Sequence, residues 1–127
     1  MTKELDFEAI KNAAESHRAD MTRFLRAMIS HPSESCEEGE VVACIKAEME
    51  SLGYDEVKVD GLGNVMGFMG EGDKIIAIDS HIDTVGIGNI ENWDADPYEG
   101  YETERSSTAA AAPTRRAAWL LLPTLPR

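Results

Sequence analysis

The stretch Ile75–Val85, "IIAIDSHIDTV", sets Asp79, His81 and Asp83 at every second position directly after an apolar run. If the strand continues, alternation brings all three to one side and sends Ser80 and Ile82 to the other. An imidazole in that setting can ligate zinc, and a carboxylate beside it can fix its tautomer and raise its basicity. The same pattern also suits a satisfied surface or core histidine whose two Asp neighbours merely end a strand. The residue types alone leave both readings open.

Such a trio needs a buried element to deliver it. Ile75–Ile78 is apolar throughout and not alternating, which predicts a strand covered on both faces. Buried α/β strands present functional side chains at their carboxyl ends, where Asp79 stands. Upstream, "EVKVD" alternates, "GLGN" reads as a turn and "VMGFMG" as a second short strand. Before these, Phe7, Ile10 and Ala14, then Met21, Leu25, Met28 and Ile29, recur at helical spacing. They predict a helix, in one piece or two, that Pro32 stops. Ser35 and Glu38 form a candidate capping box for a second helix running through Leu52. Its apolar face is Val41, Val42, Ile45, Met49 and Leu52, and Gly53 is its terminator. Helices followed by strands, the last fully buried, predict an α/β layered domain.

Composition narrows the classes. With 127 residues, 43% hydrophobic and 28% charged, the chain reads as one modest soluble domain. A net charge of −12 argues against nucleic acid or anionic membrane as a partner. "MTKELDFEAI" has acids where a secretory signal needs a basic start, and no apolar run is long enough to span a membrane. A cytoplasmic chain with reduced thiols is the simplest expectation. Cys36 and Cys44, eight apart in the predicted second helix, are poorly spaced for a shared zinc and read as structural. His17 and His31 read as surface residues away from the trio. "GLGNVMG" precedes a strand where a phosphate loop would open a helix, and Arg115–Arg116 is too short for a nucleic-acid patch.

The continuation adds specificity. "SHIDTVGIGNIENWDADPYEGY" resembles the zinc aminoacylase and carboxypeptidase family, which includes acetylornithine deacetylase and succinyl-diaminopimelate desuccinylase. His81, Asp83 and Val85 match its His-x-Asp-x-Val motif, and Trp93, Asp96, Pro97 and Tyr98 match the Trp and the Asp-Pro-aromatic turn that follow. "LRAMISHPSESCEEGEVVACIKAEMESLGY" and "GNVMGFMG" are similar to the family's preceding helices and strand, so the resemblance covers nearly all of residues 7–104. Within the family the chain resembles a subgroup described as a hydrolase linked to selenium metabolism.

The resemblance implies the N-terminal part of a zinc-peptidase-like α/β sandwich domain and a hydrolase of C–N amide bonds. Its substrates would be N-acyl amino acids or small peptides. It also implies two zinc ions in the intact protein, with cobalt or manganese as substitutes, and admits a homodimer. By the same resemblance His81 is a metal ligand and Asp83 its orienting partner at the catalytic centre. Asp79, Trp93 and Tyr98 look structural or pocket-forming. The family's bridging Asp, its Glu pair and its further ligands all lie downstream of this motif.

Those residues have no counterpart in the tail. Residues 1–104 hold all 24 acidic and 8 of the 12 basic residues, whereas the last 23 hold four Arg and no acid or His. After Glu104 the chain reads "RSSTAAAAPTRRAAWLLLPTLPR". One reading is a low-complexity tail. The other uses the genetic code, joining the third base of each codon to the first two of the next. Alanine repeats then permit Gly and Arg, Pro–Thr permits Asp, Arg–Arg permits Glu and Ala–Trp permits Met. From Ser106 the tail can be back-read as "IYGRGGSDQEGGMA", which supplies the family's Gly-Arg-Gly-x-x-Asp motif and its bridging Asp. The expectation is therefore that residues 1–104 are family sequence and 105–127 an out-of-frame tail. Ala112, Pro113 and Thr114 would stand where the bridging Asp should arise, leaving the chain inactive.

Two rivals remain. "DSH" could open a two-metal phosphoesterase site with Asp79 and His81 as ligands, although the Gly-Asp and Gly-Asn-His stretches it needs occur in neither reading of the tail. A non-enzymatic fragment that associates through exposed sheet edges is the other.

Overall fold

The computed structural model describes residues 6–99, 101–103 and 106–108, with side chains for 6–99. It is mixed α/β: three helices precede a two-stranded antiparallel sheet, and a second short hairpin follows. Helix α1 spans Phe7–Ser16, with the Asp6 carboxylate capping it by accepting from the Ala9 amide at 3.0 Å. Helix α2 spans Arg18–Ile29, so the first helical segment is in two pieces, broken at His17. Helix α3 spans Gly39–Ser51.

The core lies on α2 and α3. Phe24, Met28 and Ile29 of α2 are buried, as are Val41, Val42, Ile45 and Met49 of α3. Phe24 belongs to this face through its spacing from Met21 and Met28, although the predicted stripe omits it. An Arg23–Glu48 ion pair also joins the two helices. The predicted face of α1 does not pack: Phe7 and Ile10 are exposed, because no described element lies against them. Leu52 is likewise exposed at the end of α3.

Helix α3 ends as predicted. Gly53 takes φ +74°, its amide donates to the Glu50 carbonyl, and the Tyr54 amide reaches back to the Met49 carbonyl. This reversal leads into β1, Glu56–Val59, which pairs antiparallel with β2, Val65–Phe68, in the register Val57↔Gly67 and Val59↔Val65. Asp60 holds the connecting turn by accepting from the amides of Leu62 and Asn64, both at 2.9 Å. Val65, with half-buried Val57 and Tyr54, seals this hairpin against α3.

Gly67 is fixed by packing. A Cβ there would lie 2.6 Å from the Tyr54 ring and 2.9 Å from the Met49 sulfur. Gly67→Ala is therefore expected to cost about 1–3 kcal/mol by overpacking, read as a lower urea midpoint at unchanged slope.

Three expectations are corrected. Ile75–Ile78 is not a covered strand: Ile75, Ile76 and Ile78 are 92%, 87% and 53% exposed, and the segment joins neither β1 nor β2. A strand of this composition needs a neighbour on each side and a layer on each face, and the described residues provide none of these around it. The capping box does not form either. Helix α3 starts at Gly39, and Glu38 accepts from the Cys36 amide at 3.0 Å, while the Ser35 hydroxyl is directed elsewhere. Cys36 consequently lies outside the helix, in a turn closed by the Glu37 amide on the Glu34 carbonyl, at φ +74°.

Strand β3, Tyr101–Thr103, pairs antiparallel with β4, Ser106–Thr108, in the register Glu102↔Ser107. This hairpin straddles the compositional boundary. Arg105, Ala112, Pro113, Thr114 and Arg115–Arg116, with the readings placed on them, lie outside the described residues. No described helix is long and apolar enough to cross a membrane.

Candidate functional site

The segment carrying His81 is fastened by residues from the α2–α3 connection. Pro32 takes the chain out of α2, and the residues after it run beside 82–84. The Thr84 amide donates to the Ser33 carbonyl at 2.7 Å, and Glu34 and Thr84 form a parallel bridge. Ser33, fully buried, donates its hydroxyl to the Ile82 carbonyl at 3.2 Å and lies 3.3 Å from the Thr84 hydroxyl. Between these backbone ties, Ile82 packs its side chain against the core cluster. His81 and Asp83 flank it, as alternation requires.

Of the predicted trio, the structure joins two. The His81 Nδ1 and Asp83 Oδ1 atoms are 2.8 Å apart. An ionised carboxylate only accepts, so the shared hydrogen comes from Nδ1, and an imidazole in that tautomer carries its lone pair on Nε2. The other carboxylate oxygen, Oδ2, accepts from the Ser35 hydroxyl at 2.8 Å. Asp79 lines the same cleft, but the carboxylate bonded to His81 is Asp83. Both side chains of the pair are partly open to solvent, at 43% and 42%. They therefore stay within reach of a ligand.

The cleft is broad and open, about 1970 Å³ in volume, with Cys36, Val42, Phe68, Ile76, His81 and Asp83 among its lining residues. Farther along, Trp93 donates its indole N–H to the Ile87 carbonyl at 2.9 Å. Asp96 accepts from the Tyr98 amide at 2.8 Å, and Pro97 is fully buried. The Asp-Pro-aromatic turn is thus fixed locally, by an Asx-type bond and a packed ring. His17 caps the junction of α1 and α2, and His31 faces Glu40 at 3.4 Å; neither is in the cleft lining.

Two neutral-to-anion hydrogen bonds settle the charge of Asp83. The Ser35 hydroxyl first, and the His81 ring second, hold its carboxyl below the ordinary value of 3.8. A group whose folded pKa is depressed contributes stability above its unfolded pKa and loses it as pH falls through the folded one. The Ser35–Asp83–His81 link is therefore expected to survive mild acid and to open only below pH 3.8. Following the Asp83 carboxyl carbon by NMR checks this: its midpoint should lie below that value and rise in Ser35→Ala.

The donors fit one corner of a metal centre. An imidazole with Nδ1 tied to a carboxylate and Nε2 available is the usual arrangement of a metal-ligating His. A catalytic zinc needs about three protein ligands and an open position. Among the described residues no three His, Cys, Asp or Glu side chains converge to hold an ion. A complete site does not follow from these residues, and no chemical step is routed through one.

Over 104 residues the chain is 57% identical to YgeY of Escherichia coli strain K12, and equally to YgeY of Escherichia coli O157:H7, both uncharacterized proteins. The match covers 82% of this chain and 26% of YgeY. The chain thus spans about a quarter of the length of the curated relatives it matches. No family model and no solved structure matches it.

Proposed function

We propose that residues 1–104 are the amino-terminal part of the catalytic domain of a metal-dependent amide hydrolase, a zinc-peptidase-like α/β sandwich. Its substrates would be N-acyl amino acids or small peptides. The observation that carries this reading is the pairing of His81 Nδ1 with Asp83 Oδ1 at 2.8 Å, in a His that lines a cleft and whose Nε2 is not the nitrogen engaged by Asp83. The motif continuing through Trp93 and the Asp96–Pro97 turn supports the family assignment. In this reading His81 holds one metal ion and Asp83 fixes the ring that holds it. The metal, when bound, supplies the positive charge that polarises an amide carbonyl. The remaining ligands would come from sequence downstream, and about three quarters of YgeY lies outside the match.

The tail is proposed to be out-of-frame translation, which leaves this chain without those ligands and without activity. The matched length, 104 residues, equals the length of the acidic segment ending at Glu104. The coding nucleotides test this directly. A frame displaced by one base near Arg105 should read on as Gly-Arg-Gly-x-x-Asp; if no displaced frame does so, the tail is genuine and this part of the proposal fails.

One observation favours a second reading, a fragment that associates with other chains. Ile75 and Ile76 are 92% and 87% exposed, side by side on a segment that pairs with no strand among the described residues, and such runs pair with other chains. A soluble monomer in analytical sedimentation would rule it out.

A further inference from the structure

We propose that Ser35 is a positioning residue, acting through Asp83 to aim the imidazole of His81. The inference deepens the metal-site reading above and rests on it for its function, though not for its geometry. Asp83 is anchored at both oxygens, Oδ1 by the His81 ring and Oδ2 by the Ser35 hydroxyl, each at 2.8 Å. A carboxylate anchored at one oxygen still turns about its broad terminal torsion. The second anchor fixes its plane, and with it the direction in which Nδ1–H must point.

Ser35 reaches this place because of how the chain runs, not through proximity in sequence, since 48 positions separate it from Asp83. The register is set by backbone atoms and by Ser33: the Thr84 amide on the Ser33 carbonyl, and the Ser33 hydroxyl on the Ile82 carbonyl. Removing the Ser35 hydroxyl leaves those bonds in place. The same hydroxyl could have capped α3, with Glu38 three residues on, yet α3 begins at Gly39 and Glu38 turns to the Cys36 amide. A helix cap has been given up, and the hydroxyl serves Asp83.

The test is the ring nitrogens of His81 in the 15N-labelled 127-residue chain, at a pH well above the ordinary histidine range of about 6.5. The wild-type chain should show a single Nδ1–H tautomer with well-separated nitrogen signals. In Ser35→Ala the two signals should draw together as the tautomers interchange, while the Thr84 amide keeps its protection from exchange. Ser35→Thr, which keeps the hydroxyl, should restore the separation. Ser35→Cys, close in shape but a poor donor, should behave like the alanine variant and replaces it if alanine unfolds the chain. An Nε2–H tautomer in the wild type overturns the proposal, as does an unchanged separation in both Ser35→Ala and Ser35→Cys. Zinc alone, added to a polypeptide with one base restored near codon 105, separates this inference from the reading beneath it. A fixed Nδ1–H tautomer with a zinc-shifted Nε2 there supports both, whereas the same tautomer with no response to zinc supports the positioning role and sinks the metal site.

Discussion

The 127-residue chain is expected to hydrolyse an N-acyl amino acid no faster than zinc-containing buffer does. If the tail is out-of-frame translation of an amide hydrolase, as proposed, a polypeptide made with one base restored near codon 105 should turn the substrate over, a gap of at least about 10⁶-fold. The size of the gap follows from ligand count. In the proposed reading His81 supplies one donor and Asp83 orients it, but no three donor side chains converge among the described residues. An imidazole alone holds zinc weakly, and a metal without a positioned second and third ligand gives the carbonyl no fixed field to react in. The out-of-frame reading places the missing bridging Asp where Ala112, Pro113 and Thr114 now stand. Zinc content by mass spectrometry and release of the free amino acid are the two measurements. Stoichiometric zinc with robust turnover in the 127-residue chain would overturn both the ligand argument and the account of the tail.

How much of this was legible in the sequence depends on which interactions are local. The buried face of α3 apart from Leu52, the Gly53 terminator and the β1–β2 hairpin are short-range matters of period and backbone geometry, and their residues state them openly, whereas the same period leaves open whether the first helical segment is one helix or two. Ser35 shows the limit. A Ser with a Glu three residues on specifies a capping box only if nothing more distant claims the hydroxyl, and here Asp83 does. Alternation puts Asp79 and Asp83 on one side and leaves the partner of His81 open; the family resemblance names Asp83, and in space the Ser35 hydroxyl and the His81 ring both bond that carboxylate. Ile75–Ile78 fails for a third reason. Its composition reports the environment those side chains favour, a covered strand, while the described residues contain no layer to cover it. Phe7 and Ile10 on α1 repeat that lesson at a helix.

Ile45→Ala is expected to cost about 2–5 kcal/mol, by lost burial and by the cavity left behind. Ile45 is 1% exposed and sits among Phe24, Met28, Val41, Val42, Met49 and Val65. Helix α3 contacts α2 on one side and both strands of the hairpin on the other, so a cavity there loosens two packings at once. Small domains have stabilities of roughly 5–15 kcal/mol, and a core this limited belongs at or below the low end. The substitution should therefore remove most of the cooperative unfolding transition in urea. Leu62→Ala, at a residue 90% exposed in the hairpin turn, should change stability by less than about 0.5 kcal/mol. The effect should also reach His81, because Ile82 packs on the same cluster and holds the segment between the two site residues. In Ile45→Ala the ring signals of His81 should lose their separation at the same urea concentration at which the helical circular dichroism is lost. A His81 signal that persists past that point would mean that the Ser33–Thr84 ties hold the pair without the core.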